Sequence, residues 1–148
     1  MAATSAGINK YINNHYEGMS PERLILMLFN GALDRIKDTR DGIRENNIQK
    51  RGENLSKVIA IVSELNTSLN PEMNDEATEF LRGLYMAILT ELPKVSTTND
   101  VEILNRTERY IGRLREIWVN DVMNQKQSVP IPAQKSSQST SRLKSISV

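Results

Sequence analysis

The residues that could do chemistry in this chain are few and scattered. There is one histidine and no cysteine, which excludes thiolate nucleophiles, disulfides and cysteine metal sites. His15 lies in a polar, asparagine-rich segment without a second histidine, so we interpret it as a solvated side chain. The adjacent carboxylates of Asp75 and Glu76 fall at a predicted helix start, where the helix dipole accounts for them. Without a glycine-rich phosphate loop either, the sequence predicts no metal, no cofactor and no enzymatic activity.

Three arginines form the one basic stripe that could contact nucleic acid. Arg106, Arg109 and Arg113 share a face of a predicted helix, turned away from its apolar side. Glu102 lies four residues before Arg106 and Glu116 lies three residues after Arg113, so we expect ordinary surface ion pairs here. We therefore keep a nucleic-acid-binding or regulatory adaptor only as the alternative function.

Length and charge distribution predict one domain with a tail. The chain has 148 residues and a net charge of +1, and its 39% hydrophobic and 25% charged residues are typical of a soluble globular protein. Residues 1–125 carry 15 basic and 18 acidic residues, whereas 126–148 carry four basic residues, no acid and seven serines. We expect an N-terminal arm over 1–19, a folded unit over 20–125 and a disordered basic tail over 126–148. We expect no signal peptide and no membrane span.

Hydrophobic residues recur at helical spacing in four blocks, and no sustained strand-like alternation occurs. The clearest helix start is Ser20-Pro21-Glu22, which combines an N-cap hydroxyl, a first-turn proline and an acid. The first helix is predicted to end near Asn46, the second spans about 47–69, the third ends at Pro93, and the fourth begins at an Asn99 cap. Short links between them predict an all-α, antiparallel up-down four-helix bundle with a short N-terminal arm or helix.

Each predicted helix has an apolar stripe that should face the core. The four stripes are Ile25, Leu28, Phe29, Ala32, Ile36 and Ile43 in the first helix; Leu55, Val58, Val62, Leu65 and Leu69 in the second; Ala77, Phe80, Leu81, Leu84, Ile88 and Leu92 in the third; and Ile103, Leu104, Thr107, Tyr110, Ile111, Leu114, Trp118 and Val122 in the fourth.

Some apolar residues are left over after the core stripes are assigned. Met27 falls opposite the first stripe, within a turn of Asn30 and Gly31, and Leu24 lies between the two faces. A glycine beside such a methionine should leave a depression that another chain could approach closely. Isolated apolar residues are common on protein surfaces, but several together favour an apolar groove for a partner segment. Two residues of the third helix, Met86 and Leu89, add to this prediction.

The N-terminal arm carries its own apolar residues at helical spacing, namely Ile8, Tyr11, Ile12 and Tyr16. Two interpretations remain open. Such an arm could simply extend the core, or it could cover a groove while the groove is empty and leave when a ligand arrives.

Several of these segments together carry a family resemblance. Tyr11-x-x-Asn14, followed by the run from Ser20-Pro21-Glu22 to Asn30-Gly31-Ala32-Leu33, resembles the opening of the FliS-type flagellar secretion chaperones. Further matches follow in the same order, covering about residues 8–124 in all. They are Glu53-Asn54-Leu55-x-Lys57, Ser63-Glu64-Leu65-Asn66-x-x-Leu69 and Leu114-Arg115-Glu116-Ile117-Trp118.

The resemblance implies a bacterial cytosolic chaperone around which the C-terminal segment of flagellin wraps, which prevents premature polymerisation before secretion. It further implies the export gate of the flagellar secretion apparatus as a second partner, with neither nucleic-acid binding nor membrane insertion. The family's tyrosine arm caps the client surface and maps onto Tyr11 and Asn14, while Ile8 stands where a second aromatic is common. The expected partner-binding residues are Ile8, Tyr11, Asn14, Leu24, Met27, Asn30, Gly31, Met86 and Leu89.

Overall fold

The computed structural model of the chain describes residues 18–70, 72 and 75–124, and every regular element in these ranges is helical. The helices form a bundle, which confirms the all-α prediction. A 3₁₀ turn, Leu92–Lys94, precedes the fourth helix, and a π-helical turn, Val119–Met123, extends the fifth. The five helices are α1 (Pro21–Arg44), α2 (Ile48–Thr67), α3 (Glu76–Glu91), the single turn α4 (Val95–Thr98) and α5 (Val101–Trp118).

Side-chain caps fix where the long helices begin. The Ser20 hydroxyl accepts a hydrogen bond from the Arg23 backbone N–H at 3.2 Å, with Pro21 in the first turn, as the sequence predicts. Asn47 caps α2 and Asp75 caps α3 in the same way. The Asp75 carboxylate therefore has a structural role at the helix start.

The predicted cap of the last long helix is wrong by one residue. Asn99 has a left-handed backbone, with φ of 54°, and ends α4, whereas Asp100 accepts a hydrogen bond from the Glu102 N–H and caps α5. Asparagine is one of the few residues that adopt this conformation readily, so it is better placed at a helix end than at the following start.

Helix α1 is the centre of the bundle, since it packs against both α2 and α5, while α3 packs against α2. Polar contacts fix these pairs. The Arg40 guanidinium of α1 donates to Asn105 at 2.8 Å and to both carboxylate oxygens of Glu108 at 3.0 Å, and this contact raises the pKa of Arg40. The buried Asn54 of α2 accepts a hydrogen bond from Arg35 of α1 at 2.9 Å.

Two of the predicted core stripes need correction. Ala77 and Phe80 of α3 and Tyr110 of α5 are exposed, although the spacing places them toward the core. Tyr85 instead is 3% exposed and lies in the core, where burial raises the pKa of its hydroxyl. Among the described residues α3 packs more closely on α2 than on α5, so it turns its Tyr85 side toward α2 and the interior and leaves Phe80 exposed.

The stripes of α1 and α2 are largely as predicted. Leu28, Phe29, Ala32 and Ile36 are buried, and so are four of the five α2 positions, while Ile25, Ile43 and Leu69 are half-buried against the core. Thr39 and Gly42 are also buried and were not predicted. Within the described ranges, no helix combines the length and hydrophobicity that crossing a lipid bilayer requires.

Candidate functional site

An open groove lies between α3 and α5. The short turns around α4 return the chain, so the two helices run antiparallel, and α3 packs less closely on α5 than on α2. Near α4 the gap is a depression of about 130 Å³. Its lining residues are Ala87, Ile88, Glu91, Ile103, Arg106, Thr107 and Tyr110.

Exposed apolar side chains extend this depression along both helices. Phe80 lies seven residues before Ala87 and Ile117 lies seven residues after Tyr110, so each shares a helix face with a lining residue. The side chains of Phe80, Tyr110 and Ile117 are 65%, 42% and 44% exposed. We call the surface formed by Phe80, Leu84, Ala87, Tyr110, Leu114 and Ile117 the α3–α5 groove. An apolar surface of this shape fits an amphipathic helix or an extended segment of another chain.

One ion pair crosses the end of the groove near α4, and a second ion pair lies within α5. Arg106 lies 4.0 Å from Glu91 of α3, and Arg109 lies 3.3 Å from Glu102. The predicted pairing of Glu102 with Arg106 is wrong, because Glu102 pairs with Arg109 and Arg106 pairs with Glu91. Both arginines thus already have carboxylate partners, which weakens the case for phosphate binding.

The other end of the groove is acidic. Asp75, Glu76 and Glu79 occupy the start of α3, and Glu116 lies beside Ile117 on α5. Hydrogen bonds from Thr78 hold the pKa of Asp75 below its usual value, so its carboxylate stays charged. Arg82 offsets part of this charge through a 2.7 Å contact with Glu79.

The residues predicted on α1 lie on the side of the molecule away from this groove. Leu24 and Met27 are half-buried and do not belong to the core cluster. The side-chain amide oxygen of Asn30, Oδ1, accepts a hydrogen bond from the Arg115 Nε, which ties α1 to α5. We call Leu24, Met27, Asn30 and Gly31 the α1 patch.

Gly31 corrects the expectation of a depression open to another chain. A Cβ at this position would lie 3.4 Å from Ile61 Cδ1, so the space beside the glycine is bounded by α2 of the same chain. This distance is an ordinary van der Waals contact, so Ile61 borders the space beside the glycine without requiring a glycine there.

The two residues predicted on α3 have different environments. Met86 is 50% exposed, and its sulfur accepts a hydrogen bond from the Asn66 amide of α2 at 3.6 Å. Leu89 is half-buried against the core, which corrects its placement off the main stripe. Met27 and Met86 therefore belong to different faces and do not form one groove.

Three predicted partner-binding residues, Ile8, Tyr11 and Asn14, lie outside the described residues, as does the basic tail. Conversely, sequence reasoning missed Phe80, Tyr110 and Ile117 as surface residues. The sequence does contain a signal for such exposed residues: α3 has apolar residues on more sides of the helix than packing against one close neighbour requires.

Among the described residues, no group of three or more histidine, cysteine, aspartate or glutamate side chains is arranged to hold a metal ion. A helical bundle with an open apolar groove belongs to the class of small all-α binding proteins.

Comparison with known proteins identifies the family within this class. A family model described as flagellar protein FliS matches residues 4–126, and the chain belongs to this family. It is 28% identical over 116 residues to the flagellar secretion chaperone FliS of Bacillus subtilis, covering 78% of this chain and 86% of the relative. The corresponding protein of Escherichia coli is 30% identical over 106 residues, which is 71% of this chain and 78% of the relative. That of Salmonella typhimurium is 29% identical over 120 residues, with coverages of 78% and 89%.

Proposed function

We propose that this chain is a cytosolic export chaperone that binds the C-terminal segment of flagellin in apolar surface grooves and prevents its polymerisation before secretion. The α3–α5 groove is the observation that supports this most directly. Phe80, Tyr110 and Ile117 remain exposed along one groove in a bundle whose other large side chains are mostly packed. Covering them with an apolar helix face would contribute roughly 25 cal/mol per Å² buried, before the cost of ordering the client.

The α1 patch supplies a second contact on a different face. Leu24 and Met27 lie across the bundle from α3, so a single short helix could not reach both surfaces. A client that wraps around the bundle could, and the flexible methionine side chain would adapt to it. We therefore assign the groove and the patch to successive parts of one client segment. The export gate of the secretion apparatus is the second partner in this proposal.

The direct test is calorimetric titration with a synthetic peptide containing the last 40 or so residues of flagellin from the same organism. Burial of an apolar helix face should give binding with a negative heat-capacity change. No detectable heat or mobility change at millimolar peptide would overturn the proposal.

Salt separates this function from the alternative adaptor. Binding through phosphate contacts weakens steeply as ionic strength rises, whereas burial in an apolar groove changes little. The ion pairs of Arg106 and Arg109 favour the chaperone. Duplex DNA or RNA that bound the chain more tightly than the flagellin peptide at 150 mM salt would favour the adaptor instead.

Changing Met27 to glutamate should weaken client binding far more than it destabilises the free bundle. The side chain is half-buried outside the core cluster, and substitutions at such sites usually alter the free energy of unfolding by within about 0.5 kcal/mol. Peptide titration and thermal unfolding of the same samples measure both quantities. Ile48→Glu is the control, because Ile48 is 71% exposed at the start of α2 and belongs to neither the α3–α5 groove nor the α1 patch. Equal losses of stability and affinity in Met27→Glu would place Met27 in the core.

Removal of the arm tests whether it competes with the client. A variant that begins at Gly18 should bind the flagellin peptide as well as the full chain or better. The expected gain in apparent affinity equals the inverse of the fraction of full-length molecules in which the arm leaves the surface open. Without the cover, the free protein should also self-associate more readily, which light scattering detects. A faster client dissociation from this variant would show instead that the arm clamps the bound client.

A further inference from the structure

We propose that the C-terminal tail, residues 126–148, docks on the acidic end of the α3–α5 groove of its own chain and competes there with the client. The competition rests on the proposed function, whereas the docking does not. The occupant is therefore a specific segment of this protein. The last described residue is Asn124, and the tail begins two residues later, at Lys126.

Charge complementarity is the first argument. The tail carries Lys126, Lys135, Arg142 and Lys144 without any acid, while residues 1–125 have a net charge of −3. The acids near the groove's far end are concentrated where α3 begins and α5 finishes. They are Asp75, Glu76, Glu79, Glu116 and Asp121, and they outnumber the arginines at this end, namely Arg82, which pairs with Glu79, and the exposed Arg113.

The geometry of the bundle brings the two partners to the same end. Because α3 and α5 are antiparallel, the start of α3 lies at the end of the bundle where α5 finishes and the tail begins. An extended chain of the tail's length can reach about 80 Å. The 16 residues of α3 rise only about 24 Å, so the tail can fold back along the groove without strain.

The tail also has apolar residues that match the exposed ones in the groove. Near the C-terminus, Leu143 lies between Arg142 and Lys144, and Ile146 lies two residues after Lys144. In the groove, Phe80 lies one position after the acidic Glu79. An apolar contact flanked by opposite charges would give both attraction and a preferred position.

Because the tail is covalently attached to the bundle, even a weak contact is sufficient for it to occupy the groove. A short flexible linker gives an effective local concentration on the order of millimolar, so a segment with a dissociation constant in that range would occupy the groove for a large part of the time. The apparent affinity for the client would then be the intrinsic affinity multiplied by the fraction of grooves left open, which corresponds to a weakening of about twofold to tenfold.

A spin label tests the docking without any client. The chain lacks cysteine, so Ser145→Cys gives a single attachment point for a nitroxide in the otherwise unchanged full chain. We expect the label to broaden the amide signals of residues 76–84 and 114–118 and to spare the outward face of α1 near Asp34 and Asp41. Broadening should disappear in 0.5 M salt, because exposed charges are then screened. Absence of broadening at low salt, or equal broadening of α1, would overturn the proposal.

Mixing distinguishes docking within one chain from docking between copies. Spin-labelled protein without isotope is added to isotope-labelled protein without a spin label. Docking within the chain predicts no broadening in the mixture. Broadening of α3 there would reject the intramolecular contact and assign the groove to the tail of a second copy.

Competition is tested by reversing the tail's charge. The full-length double variant Arg142→Glu with Lys144→Glu should lose the spin-label effect and bind the flagellin peptide about threefold more tightly. The charge-conserving variant Arg142→Lys with Lys144→Arg should behave as the unaltered chain. If docking is observed but the charge reversal leaves peptide affinity unchanged, competition is wrong. If no flagellin binding is found at all, the proposed function fails while the spin-label result still decides the docking.

Discussion

Replacing Phe80 with alanine is expected to weaken flagellin binding about 30-fold and to leave the stability of the free protein almost unchanged. An aromatic hot-spot residue in a binding interface typically contributes 2 kcal/mol or more, which corresponds to about that factor. The ring is 65% exposed in the free protein, so its loss removes little core packing. Alanine is also the best helix former, so α3 itself should not be weakened.

Ile48→Ala is the matched control for this substitution. Ile48 is 71% exposed, but it begins α2 at the end of the bundle opposite Phe80. We expect its replacement to leave peptide affinity within twofold of the unaltered chain, as is usual outside a hot spot. The groove assignment is wrong if the two variants weaken binding equally, or if Phe80→Ala lowers the free energy of unfolding by as much as it lowers the free energy of binding.

The helices were predictable because their starts are determined locally. Ser20 and Pro21 form the cap of α1 within four residues, and hydrophobic spacing identifies the buried side of α2 without knowledge of its neighbours. The error at Asn99 has the same local character. Asn99 and Asp100 are adjacent residues that both favour caps, and only the left-handed backbone at Asn99 decides between them.

The groove was not predictable in the same way, because it depends on which neighbour a helix lacks. Spacing alone assigns both Phe80 and Ile88 to one stripe of α3. In the bundle α3 packs more closely on α2 than on α5, and Ile88 and Tyr85 are buried while Phe80 is exposed. A pattern along one helix contains no information about this gap.

Long-range side-chain contacts explain the remaining differences on α1. Asn30 was predicted to contact a partner, but it accepts a hydrogen bond from Arg115, which is 85 residues away in the sequence. The space beside Gly31 is bounded by Ile61 for a similar reason. Neither contact excludes a client at the α1 patch, but spacing did not reveal either of them.

Of the described glycines, Gly42 is the one where an added methyl group should lower the stability of the protein most. Gly42 is buried near the end of α1, and the chain turns into α2 through Asn46, whose φ is 56°. A Cβ at Gly42 would lie 2.6 Å from the backbone nitrogen of Arg51 and 2.9 Å from its Cα. Backbone atoms cannot rotate away as a side chain would, so α2 as a whole would have to shift.

Overpacking typically costs about 1 to 3 kcal/mol, and alanine favours a helix over glycine by about 1 kcal/mol, so we expect Gly42→Ala to lower the free energy of unfolding by up to about 2 kcal/mol. Gly52→Ala is the control, because a Cβ at Gly52 meets no atom within 4 Å and the same helix propensity should then raise stability by about 0.5 to 1 kcal/mol. Urea unfolding of both variants measures the opposite signs. If the two alanine variants were equally stabilised, α1 and α2 would be able to move apart at Arg51 without a loss of stability, which would contradict this prediction. Because the α3–α5 groove does not include Arg51, folded Gly42→Ala should still bind the flagellin peptide normally, so the effect of this variant appears in the folded fraction and not in affinity.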